Sequence, residues 1–188
     1  MVVVARELIG AQLRHGQVWL RITETEAYRE DETACHASKG RTARNAPLFG
    51  PPARWYVYLC YGIHRLINVV TNEDGHAAAV LIRAAECVRG EAIVMKRRGR
   101  EPGASSRGLL DGPGKVGEAI AARLDMSESR ANGARGMRIV SGTTAETLLA
   151  GPRVGIDYAL PAHRDLPWRF ADAASHSVSH KSTLEPLA

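Results

Sequence analysis

Glu24, Glu26 and Tyr28 recur at every second position in the stretch Thr23-Glu24-Thr25-Glu26-Ala27-Tyr28. A carboxylate set beside apolar and aromatic groups loses hydration and holds its position, and it can then act as a base toward a water molecule. Val18, Leu20 and Ile22 precede them in the same parity, the period of a half-buried strand. Counting on without interruption, the apolar face leads directly into the acidic positions, so chemistry would emerge where the core ends. A strand that frays into a solvated acidic loop has the same composition, and this segment alone leaves both readings open.

Other side chains with chemical potential follow in order. Residues 37 to 54 hold Lys39, Arg41, Arg44 and Arg54 among glycines and prolines, a basic loop able to track a phosphate backbone or merely to lie in solvent. Trp55-Tyr56-Val57-Tyr58-Leu59-Cys60-Tyr61-Gly62 is the densest aromatic cluster in a chain that is only 5% aromatic. Alternation assigns Trp55, Val57 and Leu59 to a core face and Tyr56 and Tyr58 to the other, with Tyr61 at a turn. Rings on a site-facing edge stack on nucleobases at about 1–3 kcal/mol per base. Asn68 sits between apolar neighbours and needs a hydrogen-bond partner if buried, most simply backbone. Arg83 shares the parity of Ala77, Ala79 and Leu81, and a buried Arg requires an anion from the protein or a ligand. Gly112-Pro113-Gly114-Lys115 opens a helical pattern whose first N–H groups, with Lys115, could hold a phosphate, although its spacing is not that of a P-loop.

The elements that must position these groups are strands and helices without regular alternation. A short helix over Val4–Ile9 is closed by Gly10, and two strands joined at His15-Gly16 deliver the acidic segment. Strands are expected over 55–59, 63–71, 77–83, 137–140 and 151–157, and helices over 90–100 and from Lys115 to Leu124. With 188 residues and 45% hydrophobic content the chain suits one core: a single domain over 1–174, followed by a polar tail over 175–188 expected to be in part without order. Twenty-five cations, four of them Lys, against 20 acidic residues give a net charge of +5, which favours a polyanionic partner. Cys35, Cys60 and Cys87 are odd in number and show no paired spacing, arguing against a disulfide framework or zinc knuckle and fitting a reducing compartment. The first five residues are too short for a signal-peptide core, and no apolar run approaches a membrane span. A cytoplasmic protein is expected, associated with the nucleoid if that polyanionic partner is chromosomal.

Read in order, Thr25-Glu26-Ala27-Tyr28, His36, Arg44-Asn45, Phe49-Gly50-Pro51-Pro52, Tyr56-Val57-Tyr58, Tyr61-Gly62, Asn68, Leu81-Ile82-Arg83-Ala84, Gly112-Pro113-Gly114-Lys115 and Gly151 to Asp157 resemble the alkyladenine (3-methyladenine) DNA glycosylases, over residues 4 to 179. That resemblance implies a mixed α/β single domain: a curved, mainly antiparallel β-sheet with surrounding helices and no metal or organic cofactor. It implies that Glu26 activates water and that Arg83 orders the water and carboxylate. Tyr28, His36 and Tyr58 would grip an extruded base, Asn68 would discourage unmodified guanine at the pocket floor, and Tyr61 would fill the gap left in the duplex. Arg41, Arg44, Arg54 and Lys115 are the candidate phosphate contacts. Glu30, Leu48, Ile63 and Leu66 depart from the family pattern, Glu30 by adding a negative charge near a DNA-facing loop. The resemblance also implies a few further residues before Val2.

The expected activity is that of a monofunctional DNA-repair glycosylase, a monomer acting on duplex DNA with alkylated or deaminated purines. It would flip the lesion nucleotide, hydrolyse the N-glycosidic bond with an activated water and leave an abasic site. Two other classes use some of the same residues: a non-catalytic nucleic-acid binder, which needs no defined carboxylate, and a metal-dependent hydrolase built on Glu24, Glu26, Asp31 and His36.

Overall fold

The computed structural model describes residues 1–187, so Ala188 at the end of the expected tail lies outside the described residues. Helix α1 (Val2–Glu7) is followed by Gly10 at φ 91°. Besides the strain of that angle, a Cβ there would stand 2.1 Å from the Thr143 carbonyl oxygen, so glycine is what lets the 142–144 segment pass this closely. The Gly10 N–H donates to the Ile22 carbonyl at 2.8 Å and docks the end of α1 on the first hairpin.

That hairpin is β1 (Gln12–His15) and β2 (Val18–Arg29), turning at Gly16 as expected. The aromatic run forms β3 (Trp55–Cys60), which pairs with β4 (His64–Val70), and β5 (Ala78–Arg89) follows. Short strands β6 (Arg138–Val140), β7 (Leu148–Gly151), β8 (Arg169–Asp172) and β9 (Glu185–Pro186) complete an open sheet ordered β3-β4-β5-β2-β8-β7-β9, with β1 and β6 extending from β2. Every pairing is antiparallel. Helices α2 (Glu91–Arg97), α3 (Pro113–Ala119) and α4 (Pro161–Arg164) are short. The protein is thus the expected mixed α/β domain on a mainly antiparallel sheet.

Strand alternation divides the residues between two sides. Trp55, Val57, Ile67, Val69, Val80 and Ile82 enter the main core with Val116 and Ala119 of α3 and Ile120 at its C-terminal end. The helix approaches so closely that a Cβ on Gly117 would stand 1.9 Å from the Arg65 carbonyl oxygen. Tyr56, Val70 and Ala79 face the other way, into a smaller cluster with Cys35, Ala37 and Leu48 from the 30–50 loop. Leu59, expected inside, is 36% exposed because β3 has by then run out toward its hairpin tip.

Two further expectations are corrected. The apolar face of β2 does not run directly into Glu24: Ile22 pairs with Ala85 and Thr25 with Ile82, three steps along each strand. Ile22, Ala85, Ile82 and Ala27 all belong to the main core, and Thr25 Oγ1 donates to the Ala5 carbonyl of α1 at 2.8 Å. Each strand therefore carries one extra residue, so the register is kept while the faces exchange, and Glu24, Glu26 and Tyr28 come to lie opposite the core.

The strand expected over 151–157 is instead the end of β7 followed by a loop. Pro152 has no N–H for a ladder, and the Val154 N–H is committed to the Glu26 carboxylate.

Residues 175–187 return along the sheet: Ser177 Oγ donates to the Ala85 carbonyl at 2.6 Å, Thr23 Oγ1 donates to the Ser177 carbonyl at 2.5 Å, and β9 pairs with β7. The Ser177 bond satisfies the Ala85 carbonyl beside the bulge, where Ile22 donates its N–H to Ala11 and not to β5.

Candidate active site

Glu26 is fully buried, and three donors reach it. The Val154 N–H donates to Oε1 at 2.8 Å, Arg83 Nη1 lies 3.3 Å from the same oxygen, and the Tyr28 hydroxyl donates to Oε2 at 2.8 Å. An ionised carboxylate has about four acceptor sites, so three donors fix it in place and leave capacity for a proton from water. Burial, reinforced by the charge of Glu26, pushes the Tyr28 phenol well above its ordinary value, so it remains a donor throughout the neutral range.

Arg83 comes from β5 directly across the double bulge. Its Nε donates to Ser179 Oγ at 2.8 Å and lies 3.2 Å from Glu24 Oε1. Glu24 also accepts from Arg169 Nη1 at 2.9 Å and from the Ser179 N–H at 2.9 Å. Burial pushes the Glu24 carboxyl up, while Arg83, the Ser179 N–H and Arg169 pull it back. Two carboxylates and two guanidiniums thus balance in a site taken out of water, where an unpaired charge would be costly.

Glu26, Arg83, Tyr28, His36, Tyr58 and Asn68 line one cavity of about 510 Å³, with Arg44 and Tyr61 also on its wall. Tyr56 and Tyr58 stack at 5.3 Å and 24°, His36 meets Tyr58 edge-on at 4.6 Å, and His36 Nδ1 is 3.0 Å from the Tyr56 hydroxyl. Burial, then the Arg44 charge, lowers the His36 pKa, so the imidazole is neutral at pH 7. Asn68 Nδ2 donates to the Tyr56 carbonyl at 3.1 Å, the expected backbone tie, which also immobilises the amide at the cavity wall.

Tyr61 stands 88% exposed at the β3–β4 tip. The expected cations divide. Arg44 reaches the Leu59 carbonyl at 3.1 Å and lies over Tyr58, while Arg41 is exposed beside Phe49. Arg54 donates to the Glu128 carbonyl at 3.0 Å, away from the cavity lining. Lys115 departs from expectation: its Nζ donates to Asp111 at 2.6 Å and to the Gly108 carbonyl at 3.0 Å, so an internal carboxylate already matches its charge. Glu30, the added charge, is likewise engaged, accepting from the Ala77 N–H at 3.2 Å. Glu24, Glu26, Asp31 and His36 do not converge: Asp31 is paired with Arg29 and His36 turns to the tyrosines.

Sequence reasoning missed several groups. Arg153 makes a bidentate buried pair with Glu32 at 2.6 and 2.8 Å and lies over the Tyr28 ring at 4.7 Å, anchoring the loop that aims the Val154 N–H. A backbone donor has no sequence signature, but the recurrence of Ser175, Ser177 and Ser179 at every second residue was a strand-like signal.

Comparison with known proteins bears on this arrangement. Residues 1–176 match the family model described as methylpurine-DNA glycosylase. A protein of Nitrosococcus oceani, provisionally assigned as a 3-methyladenine DNA glycosylase, is 52% identical over 97% of this chain and 90% of its own length. The Arabidopsis thaliana protein named DNA-3-methyladenine glycosylase is 45% identical over 98% of this chain and 72% of its own.

Proposed function

The chain belongs to the methylpurine-DNA glycosylase family, which makes it a DNA-repair enzyme of the 3-methyladenine glycosylase class, and from that premise we propose that Glu26 and Arg83 carry its hydrolytic step. The damaged nucleotide is flipped out of duplex DNA into the cavity, at an unstacking cost of a few kcal/mol that is least for a damaged pair. Tyr28, Tyr58 and His36 grip the base. Electron-rich rings attract a cationic base such as N3-methyladenine or N7-methylguanine, which is already a good leaving group. Glu26 takes a proton from a water that attacks the sugar C1′, Arg83 orders that water, and the glycosidic electron pair leaves with the base. A deaminated purine such as hypoxanthine is neutral and needs protonation as it departs. The immobile Asn68 amide crowds the 2-amino group of guanine. Tyr61 fills the vacated stack, and Arg41, Arg44 and Arg54 meet phosphates.

The observation that carries this reading is the Glu26 carboxylate, buried yet opening on an aromatic cavity and held by Tyr28, Val154 and Arg83. Every one of those groups comes from one chain, so the site is complete without a second copy. The test is incubation with duplexes each carrying one modified purine, followed by detection of abasic sites. Turnover on alkylated and deaminated purines, with the backbone intact, is expected. A borohydride-trapped covalent adduct, or binding without release of base, would overturn it.

A further inference from the structure

We propose that Ser179 is a positioning residue that fixes Arg83 Nε and thereby holds Nη1 toward Glu26 and the water site. This rests on the assignment of Arg83 and Glu26 above. Arg83 lies between two carboxylates, yet its shortest contact is with neither: Nη1 to Glu26 Oε1 is 3.3 Å, whereas Nε to Ser179 Oγ is 2.8 Å. Glu26 therefore does not fix the guanidinium on its own. Nε also lies 3.2 Å from Glu24, which offers a competing place for the whole fork. Ser179 settles that competition with one atom. Its hydroxyl hydrogen serves a Glu24 oxygen, each being 2.9 Å away, and its lone pairs accept Arg83 Nε.

The serine itself is fixed from both sides. Its N–H donates to Glu24 Oε2 at 2.9 Å, its carbonyl accepts from Arg169 Nη1 at 2.8 Å, and Ser177 ties the preceding segment to Ala85. A hydroxyl held this way defines where Arg83 Nε must sit, and the planar guanidinium then fixes Nη1. Without it, Nε would be left to Glu24 and the fork would slide from the reacting water.

Single-turnover excision of N7-methylguanine from a duplex tests this, using the full chain. Ser179→Ala is expected to slow excision about tenfold, the scale of one hydrogen bond to a charged group, while binding to the lesion duplex stays within about twofold. Ser179→Thr, which restores the hydroxyl, should recover most of the rate. In an Arg83→Lys background, which removes the fork, Ser179→Ala should cost nothing further. Ser179→Cys keeps the volume with only weak hydrogen bonding and serves if the alanine variant does not fold. A parental rate in the Ala or Cys variant, or a full additional loss in the Arg83→Lys background, overturns the proposal. Glu26→Gln run alongside keeps the outcomes apart: if it remains active, the hydrolytic assignment itself fails, whereas an inactive Glu26→Gln beside a fully active Ser179→Ala rejects only the role of Ser179.

Discussion

Val154 lies 128 residues beyond Glu26 in the chain, yet its backbone N–H donates to Glu26 Oε1 at 2.8 Å. No change of the Val154 side chain can delete that donor, so the carboxylate is open to experiment chiefly through its own chemistry. Glu26→Gln keeps the size and loses the charge and basicity. The variant should fold, bind lesion DNA about as well as the parent and excise at least ~100-fold more slowly in single turnover. Parental activity would reject Glu26 as the base.

Glu24→Gln should behave differently. It leaves Arg83 and Arg169 sharing one carboxylate fewer in a fully buried cluster, so stability falls by about 3 kcal/mol and Tm by about 10 °C. A thermal melt decides this, and an unchanged Tm would show that the cluster contributes little.

Phosphate contacts can be ranked by salt. Arg44→Ala should reduce the slope of log affinity against log salt by about 1, while Lys115→Ala should leave it unchanged, because Asp111 and the Gly108 carbonyl already hold that amine. Equal slope changes in the two variants would mean that Lys115 exchanges Asp111 for DNA.

Tyr61 has φ 50°, a left-handed conformation that suits glycine, and its ring is outside the core. Tyr61→Gly should keep Tm within about 2 °C of the parent while weakening retention of a duplex containing an abasic site. A large fall in Tm would make the ring structural and remove its wedge role.

Alkaline pH should unfold the protein through its buried phenols. Burial, with a partial offset from Arg44, pushes Tyr56 up to about 12, and burial also raises Tyr28 and Tyr58. The unfolded chain releases these protons near 10. The native state therefore binds more protons above that pH, so the stabilisation is fully present below pH 10 and is lost as pH rises to about 12. Denaturant titrations at pH 9, 10 and 11 check the sign, and Tyr56→Phe should flatten the decline.

Alternation made the faces of β3 and β4 legible in advance: Trp55 and Val57 against Tyr56 and Tyr58, and Ile67 and Val69 against Leu66 and Asn68. Glu26, Tyr28 and Arg83 were legible as chemistry, although the parity that led to them was counted through a bulge that exchanges the faces. Paired bulges leave no trace in the composition of either strand. Val154 was hidden because its contribution is an N–H common to almost every residue, and the engagement of Lys115 by Asp111, in the turn just before α3, is not marked by its spacing in the sequence. Ser179 reads as solvated polar chain until the buried Glu24 and Arg83 side chains give it a destination.

The paired extra residues in β2 and β5 make chain length in the two strands a joint property. Deleting one residue beside Thr23 alone would bring Ile22 and Thr25 two steps apart, so Glu26 and Tyr28 would keep their side, but β5 would be left with an unmatched residue. A matching deletion beside Arg83 would give two regular strands with Glu26 still opposite the core. A single deletion elsewhere in either strand has no bulge to absorb it and exchanges the faces beyond it. A lineage carrying this site can therefore change chain length here most readily at the bulge, and with both strands changing together.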